Sequence, residues 1–137
     1  MEGLLDTNVF IHAQTNDEHS DECRAFLLAI QHNEIVARLE PVVLHELTYA
    51  LRHYRRQMTR SQIGEYLLVV LSWPGIRGDR DLMTDAVYRW IDTPGLGLVD
   101  AYLSAMADRD NCPVYTINAR DFEHQSIDVP QPLPSYR

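Results

Sequence analysis

The chain has 137 residues, of which 45% are hydrophobic, and 20 acidic against 12 basic side chains leave a net charge of −8 at pH 7. All 12 basic residues are arginines. The lack of lysine excludes a Walker phosphate-binding loop and Schiff-base chemistry, since both depend on a lysine amine, and it makes receiver domains and haloacid-dehalogenase phosphatases poor candidates. We expect one domain over residues 1–137, because this length is typical of a single domain.

Cysteine usage and hydropathy favour a cytoplasmic protein without a membrane segment. Cys23 and Cys112 lie far apart and form no metal-binding or redox motif, so both are expected to be reduced. Glu2 and Asp6 occupy the place of the basic and apolar parts of a secretion signal. The longest apolar run, Tyr66–Leu71, is too short to cross a bilayer. The net charge disfavours diffuse binding to nucleic acid, but it does not exclude a nuclease whose bound cations reverse the local sign.

The first half of the chain alternates predicted strands and helices. Gly3–Asp6 is a short apolar run that leads into polar residues, as a buried strand followed by a loop would. Residues 20–32 carry an apolar helical face, and Ser20 is suited to cap that helix. Glu34–Leu39 is a second strand candidate, and Pro41 opens the next helix at its first position.

The second half continues this alternation. A helix that starts at Thr59 is followed by two others over Leu82–Trp90 and Leu98–Asp108. Val114–Ile117 and Ser126–Val129 are the last two strand candidates. Short strands separated by helices predict an α/β fold with a parallel sheet.

Four acidic residues occupy positions where such folds form their binding sites. Sites in parallel sheets lie beyond the carboxyl ends of the strands, and Asp6 and Asp121 follow predicted strands. Glu46 shares a helix face with apolar residues, and Asp100 lies in the first turn of its helix. Each also has a purely structural interpretation: Asp6 as a turn or cap residue, Glu46 as a solvated glutamate, Asp100 as a partner of the helix dipole, and Asp121 as the cap of a short helix.

Taken together, the four carboxylates favour a metal site. Carboxylates that share one cleft repel each other, and a hard divalent cation removes that conflict. Mg²⁺ and Mn²⁺ prefer oxygen ligands, and one or two such ions activate water and stabilise both oxygens of an in-line phosphodiester displacement. Carboxylate-bound Mg²⁺, for which Mn²⁺ can substitute, is therefore the most economical mechanism for a chain without lysine or a Cys/His cluster.

Four stretches in order resemble the PIN-domain family, and the size of the chain is most similar to its VapC-type toxins. They are Leu4–Phe10, Val43–Leu47, Leu98–Ala107 and Val114–Phe122. The resemblance implies a three-layer α/β/α sandwich whose mostly parallel sheet has four to five short strands. It also implies a metal-dependent ribonuclease that pairs with an antitoxin protein and forms a homodimer.

The family's catalytic and metal-binding roles carry over to Asp6, Glu46, Asp100 and the acidic position of the last stretch. Many relatives have Asp where Asn118 stands, and Asn118 brings an oxygen but no charge. We therefore assign the fourth carboxylate to Asp121. The supporting polar groups are then Asn8, Thr116 and Asn118.

One basic cluster follows the Glu46 helix. Arg52, Arg55 and Arg56, with Arg60 beyond them, are either a phosphate or partner contact or a solvated helix end. Tyr49 and Tyr54 on the same helix could stack on bases, although their helical spacing favours core packing.

Three functions compete. The first is a Mg²⁺- or Mn²⁺-dependent endoribonuclease acting as the toxin of a type II toxin–antitoxin pair. The second is a PIN-like module with an incomplete metal site that only binds RNA or protein, for which Asn118 is the best support. The third is a small-molecule phosphohydrolase.

Overall fold

The computed structural model describes residues 2–55 and 57–135 of the chain. Their contacts divide the chain into two compact units, Met1–Arg80 and Asp81–Arg137. The expectation of a single domain over residues 1–137 stays a prediction. The elements form a mixed α/β fold with a parallel sheet, as the alternation of short strands and helices predicts.

The first unit contains the sheet. Its strands are β1 (Gly3–Leu4), β2 (Ala37–Arg38) and β3 (Ile76–Arg77), which pair in parallel in that order. The β1–β2 ladder continues by one bond, since the Leu5 N–H donates to the Arg38 carbonyl over 2.9 Å. Asp6 is therefore the first residue beyond the carboxyl end of β1, where sites in parallel sheets form.

Four helices supply the crossovers that parallel strands require. Helices α1 (Thr7–Gln14) and α2 (Ser20–Gln31) join β1 to β2, and α3 (Pro41–Tyr54) and α4 (Arg60–Ser72) join β2 to β3. Helix α3 begins with Pro41 as predicted. A loop was expected directly after the first strand, and helix α1 was not predicted; it forms because Phe10 and Ile11 bury an apolar stripe despite the polar residues around them.

Local sequence signals in the first unit determine where two helices start and where a glycine is required. Helix α4 starts after Thr59 as predicted, because Thr59 and Gln62 exchange side-chain and backbone hydrogen bonds in a capping box. The predicted capping role of Ser20 is wrong: His19 holds the N-cap position of α2, and Ser20 Oγ instead accepts a bond from the Asp17 N–H at 2.9 Å. Gly75 precedes β3, and a Cβ there would lie 2.3 Å from the Ile35 carbonyl oxygen, so only glycine fits.

The second unit is helical. It consists of α5 (Arg80–Asp92, whose first residue belongs to the first unit), α6 (Leu98–Asp110) and α7 (Ala119–Glu123). Arg89 joins α5 to α6, because its guanidinium contacts Asp85 at 3.0 Å and Asp108 at 2.9 Å. The bond to Asp85 lies within α5, and the bond to Asp108 connects α5 to α6, which carries Asp100.

The predicted number of four to five strands is wrong for the described residues, which form three. Val114–Ile117 and Ser126–Val129 are not strands, and the backbone bond that joins them runs from the Val114 N–H to the Asp128 carbonyl over 3.0 Å. Pro113 and Pro130 flank these segments and lack the N–H needed to extend a ladder. Strand β3 was not predicted.

Two further expectations concern membranes and cysteines. None of the helices in the described part of the chain is long and apolar enough to span a bilayer. Cys23 and Cys112 are not joined to each other, and their reduced state stays a prediction.

Candidate functional site

Asp6 and Glu46 line the same cavity in the first unit, which has a volume of about 420 Å³. Helices α1 and α3 pack against each other and form its walls. Its other lining residues include Thr7, Asn8, His45, Tyr49, His53 and Tyr54. Two of the predicted carboxylates and the supporting Asn8 thus come together here.

The Asp6 carboxylate is not used to cap a helix. Asp6 holds the N-cap position of α1, yet its side chain makes no capping hydrogen bond, and the residue is exposed. Asp6 therefore occupies the cap position with its backbone, but its side chain does not perform the capping role. A carboxylate at a helix N-terminus that leaves the amides uncapped is available to a ligand.

Glu46 is held in place by a residue that the sequence analysis missed. Thr7 is buried, and its Oγ1 donates a hydrogen bond of 2.7 Å to Glu46 Oε2. Glu46 itself is exposed, and so are its helix neighbours Val42 and Tyr49, so this face of α3 is not a core face. The bond from Thr7 orients one carboxylate oxygen and leaves the other for a ligand.

Asp100, Asp121, Asn118 and Thr116 meet in the second unit. Asp100 lies in the first turn of α6, and Asp121 lies in the first turn of α7 rather than at its cap, which is Asn118. Asn118 Nδ2 donates to Asp121 Oδ2 at 2.7 Å, and the Asn118 N–H donates to Thr116 Oγ1 at 3.0 Å. Asn118 therefore orients the Asp121 carboxylate.

Asp100 is partly buried beside a like charge. Desolvation, and after it the negative charge of Asp121, raises the pKa of Asp100 above its usual value of 3.8. A divalent cation would relieve this repulsion, so the oxygen donors of the pair fit Mg²⁺ or Mn²⁺.

The raised pKa of Asp100 gives a pH-dependent stability. Ionising a carboxyl whose folded-state pKa is raised costs stability, so the contribution is full below the unfolded pKa and lost as the pH rises through the folded pKa. In metal-free buffer we expect Asp100→Asn to melt at a higher temperature than the parent at pH 7. The two melting temperatures should converge as the pH falls below about 4, near the ordinary pKa of aspartate. Thermal unfolding followed by circular dichroism measures this, and a constant difference across the pH range would contradict it.

The predicted carboxylates thus fall into two pairs, one in each unit. Within the described residues of either unit, no three His, Cys, Asp or Glu side chains are close enough to hold a metal ion by themselves. Each pair offers carboxylate oxygens, the donors that suit a hard cation with several retained waters.

Two arginines of the predicted basic cluster lie at the carboxyl end of α3. Arg52 and Arg55 are exposed at the end of α3, and Arg55 Nη1 donates to Gln14 Oε1 at 2.9 Å, which ties the ends of α3 and α1 together. Arg56 lies outside the described residues. The pKa of Arg60 is lowered by burial and then by the charge of Arg52, which places these two cations near each other.

The two tyrosines of α3 were expected to pack in the core, and that expectation is wrong. Tyr49 is 65% exposed and Tyr54 is 55% exposed, and both line the cavity with Asp6 and Glu46. Helical periodicity shows which residues share a face, but it does not show whether that face meets the core or solvent.

The family model described as PIN domain matches residues 3–128, which is most of the chain. No curated protein matches the chain.

Proposed function

The chain belongs to the PIN domain family, and on that premise we propose that it is a Mg²⁺-dependent endoribonuclease that acts as the toxin of a type II toxin–antitoxin pair. PIN domains are generally nucleases, so a phosphodiester hydrolase that binds nucleic acid is the activity that the family supports. The observation that carries the proposal is the cavity with Asp6 and Glu46, where neither carboxylate is consumed by a cap or an ion pair in the described residues.

We assign the metal-binding and catalytic roles to Asp6, Glu46, Asp100 and Asp121. A bound Mg²⁺ or Mn²⁺ supplies the Lewis acidity and the lowered pKa of water that phosphodiester hydrolysis needs. The protein's part is to orient oxygen ligands: Thr7 holds Glu46, and Asn118 holds Asp121. Such bonds to metal ligands fix their geometry and raise metal affinity.

We also propose a binding role for the arginines and two protein partners. Arg52, Arg55 and Arg56 bind phosphates of the RNA or a surface of the antitoxin, because a guanidinium suits bidentate contacts with phosphate and carboxylate. We further propose a homodimer that works in the cytoplasm with its cognate antitoxin protein.

A second candidate is a PIN-like module that binds RNA or protein without cleaving. Asn118 favours it, because an amide stands where many relatives have an acid, and that amide is engaged with Asp121. The two candidates differ in metal affinity. An incomplete site would show no Mn²⁺ binding at millimolar concentration.

The decisive experiment is cleavage of a panel of structured RNAs in Mg²⁺, in Mn²⁺ and in EDTA. We expect cleavage with either ion and none in EDTA, since the proposed mechanism activates water through the bound ion. Growth arrest on expression, relieved by the product of a neighbouring short reading frame, would support the toxin role. Cleavage that persists in EDTA would contradict the metal mechanism, and no cleavage combined with RNA binding would favour the second candidate.

A further inference from the structure

The cavity of the first unit has an aromatic wall that the metal chemistry does not use. His45, Tyr49 and His53 follow one another at intervals of four residues along α3, and Tyr54 ends the helix beside them. Residues four apart lie on one helix face, so these rings form a continuous surface along the cavity. We call these four residues the aromatic wall.

The rings of the aromatic wall contact each other in two pairs. His45 and Tyr49 meet edge to face, with ring centroids 5.2 Å apart and an interplanar angle of 84°, and His53 and Tyr54 meet in the same way at 5.0 Å and 89°. An edge-to-face contact leaves one ring face of the pair uncovered. Because Tyr49 and Tyr54 are more than half exposed, each presents apolar area to solvent.

His45 also has an unmet hydrogen-bonding capacity. Its Nδ1 atom is buried and has no hydrogen-bond partner among the described residues. Buried polar atoms without a partner are uncommon in folded proteins. A bound polar group that reaches this atom would therefore gain free energy.

The cations beside the wall suit the phosphates of a nucleic acid strand, while the carboxylates of Asp6 and Glu46 in the same cavity suit the proposed metal ion. Arg52 and Arg55 are both exposed at the carboxyl end of α3, where they alternate in sequence with the two tyrosines. Aromatic platforms beside arginines are the usual means of binding single-stranded nucleic acid, because each base offers a π-face and the backbone offers phosphates. A cavity of about 420 Å³ is also within the range of small-molecule and nucleotide sites.

We propose that the aromatic wall stacks an unpaired nucleobase of the RNA, with Tyr49 as the principal platform beside Asp6 and Glu46. This inference rests on the proposed ribonuclease function and adds to it the residue on which a base of the strand stacks beside the two carboxylates. Tyr49 is then a positioning residue for the strand.

The test measures binding apart from cleavage. Fluorescence anisotropy of a labelled six-nucleotide oligouridine in EDTA reports the Kd without the metal-dependent reaction. We expect Tyr49→Ala to raise the Kd about 5- to 150-fold, the range of one lost stacking contact, while Tyr49→Phe and Tyr49→Trp keep the parent's affinity. Tyr88→Ala is the matched control, because Tyr88 is 53% exposed on α5 and is not among the residues that line this cavity.

A second oligonucleotide separates stacking from a structural effect. In this oligonucleotide abasic residues replace the uridines, so no base is left to stack. The parent and Tyr49→Ala should therefore bind it with the same Kd. Equal Kd values for parent and Tyr49→Ala on oligouridine would overturn the inference and leave the aromatic wall to a protein partner. The inference would also be overturned if Tyr49→Ala lost as much affinity for the abasic strand as for oligouridine. It would likewise be overturned if the parent showed no measurable binding to oligouridine. Binding with this pattern in a protein that fails to cleave would uphold the inference while refuting the proposed function.

Discussion

An Asp6→Asn variant is expected to lose metal-dependent RNA cleavage by about 10³-fold while keeping the parent's fold. Asparagine preserves the size of the side chain and one oxygen, so the substitution removes the negative charge and one ligand oxygen with little change in shape. A metal ion contributes several kcal/mol of charge stabilisation to phosphoryl transfer. A loss of about 4 kcal/mol corresponds to about 10³-fold in rate. Initial rates on one cleaved RNA at saturating Mg²⁺ measure the effect.

The structure makes this variant easy to interpret. The Asp6 side chain makes no capping hydrogen bond with α1, so its replacement should leave the melting temperature in metal-free buffer unchanged or slightly raised. Asp21→Asn is a suitable control in the same unit, because Asp21 is a fully exposed acid whose ion pair is with Arg24. Cleavage by Asp6→Asn at the parent's rate, with the melting temperature unchanged, would show that Asp6 is not a ligand.

The local signals in the sequence are those that the structure confirms best. Pro41 at the first position of α3 and the capping box of Thr59 and Gln62 act within one helical turn, so their effect can be predicted from neighbouring residues alone. The position of Asp6 after a strand was predictable for a similar reason, although the prediction that this strand is buried is wrong, since Gly3 and Leu4 are both exposed. A short apolar run that ends in an aspartate marks the carboxyl end of a strand wherever that strand pairs.

The features that escaped prediction depend on contacts distant in sequence. Strand β3 has two residues, and it exists only because Ala37 and Arg38 pair with it from 39 positions away. The hydrogen bond from Thr7 to Glu46 spans the same separation, and the residues next to either side chain do not predict it. Tyr49 shows the same limit, since its periodicity fits a core helix equally well and only the packing of α1 against α3 leaves it exposed.

Substitutions at Asn118 and Asp121 should show which of the two completes the metal site. Asp121→Asn is expected to lower cleavage at limiting Mg²⁺ by about 10²-fold and to raise the Mg²⁺ concentration needed for half-maximal rate, because it removes a charged ligand. Asn118→Ala removes only the 2.7 Å bond that orients Asp121, and loss of such a supporting bond costs about 10-fold. Glu123→Gln is the control, since Glu123 is an exposed acid on the same short helix. A larger loss in Asn118→Ala than in Asp121→Asn would assign the ligand to Asn118.

Asn118→Asp tests the same pair from the opposite direction. The new carboxylate would face Asp121 where the amide now donates, so two negative charges would replace a hydrogen bond. Without metal, this repulsion should lower the melting temperature and raise the pKa of the pair, and Asp100 nearby would add to it. With Mg²⁺ or Mn²⁺ the extra charge becomes a ligand, so the stability should recover and the affinity for the ion should exceed that of the parent. Recovery with metal is the result that separates a metal site from a hydrogen-bonded pair, because a purely structural Asn118–Asp121 contact would stay destabilised at every metal concentration.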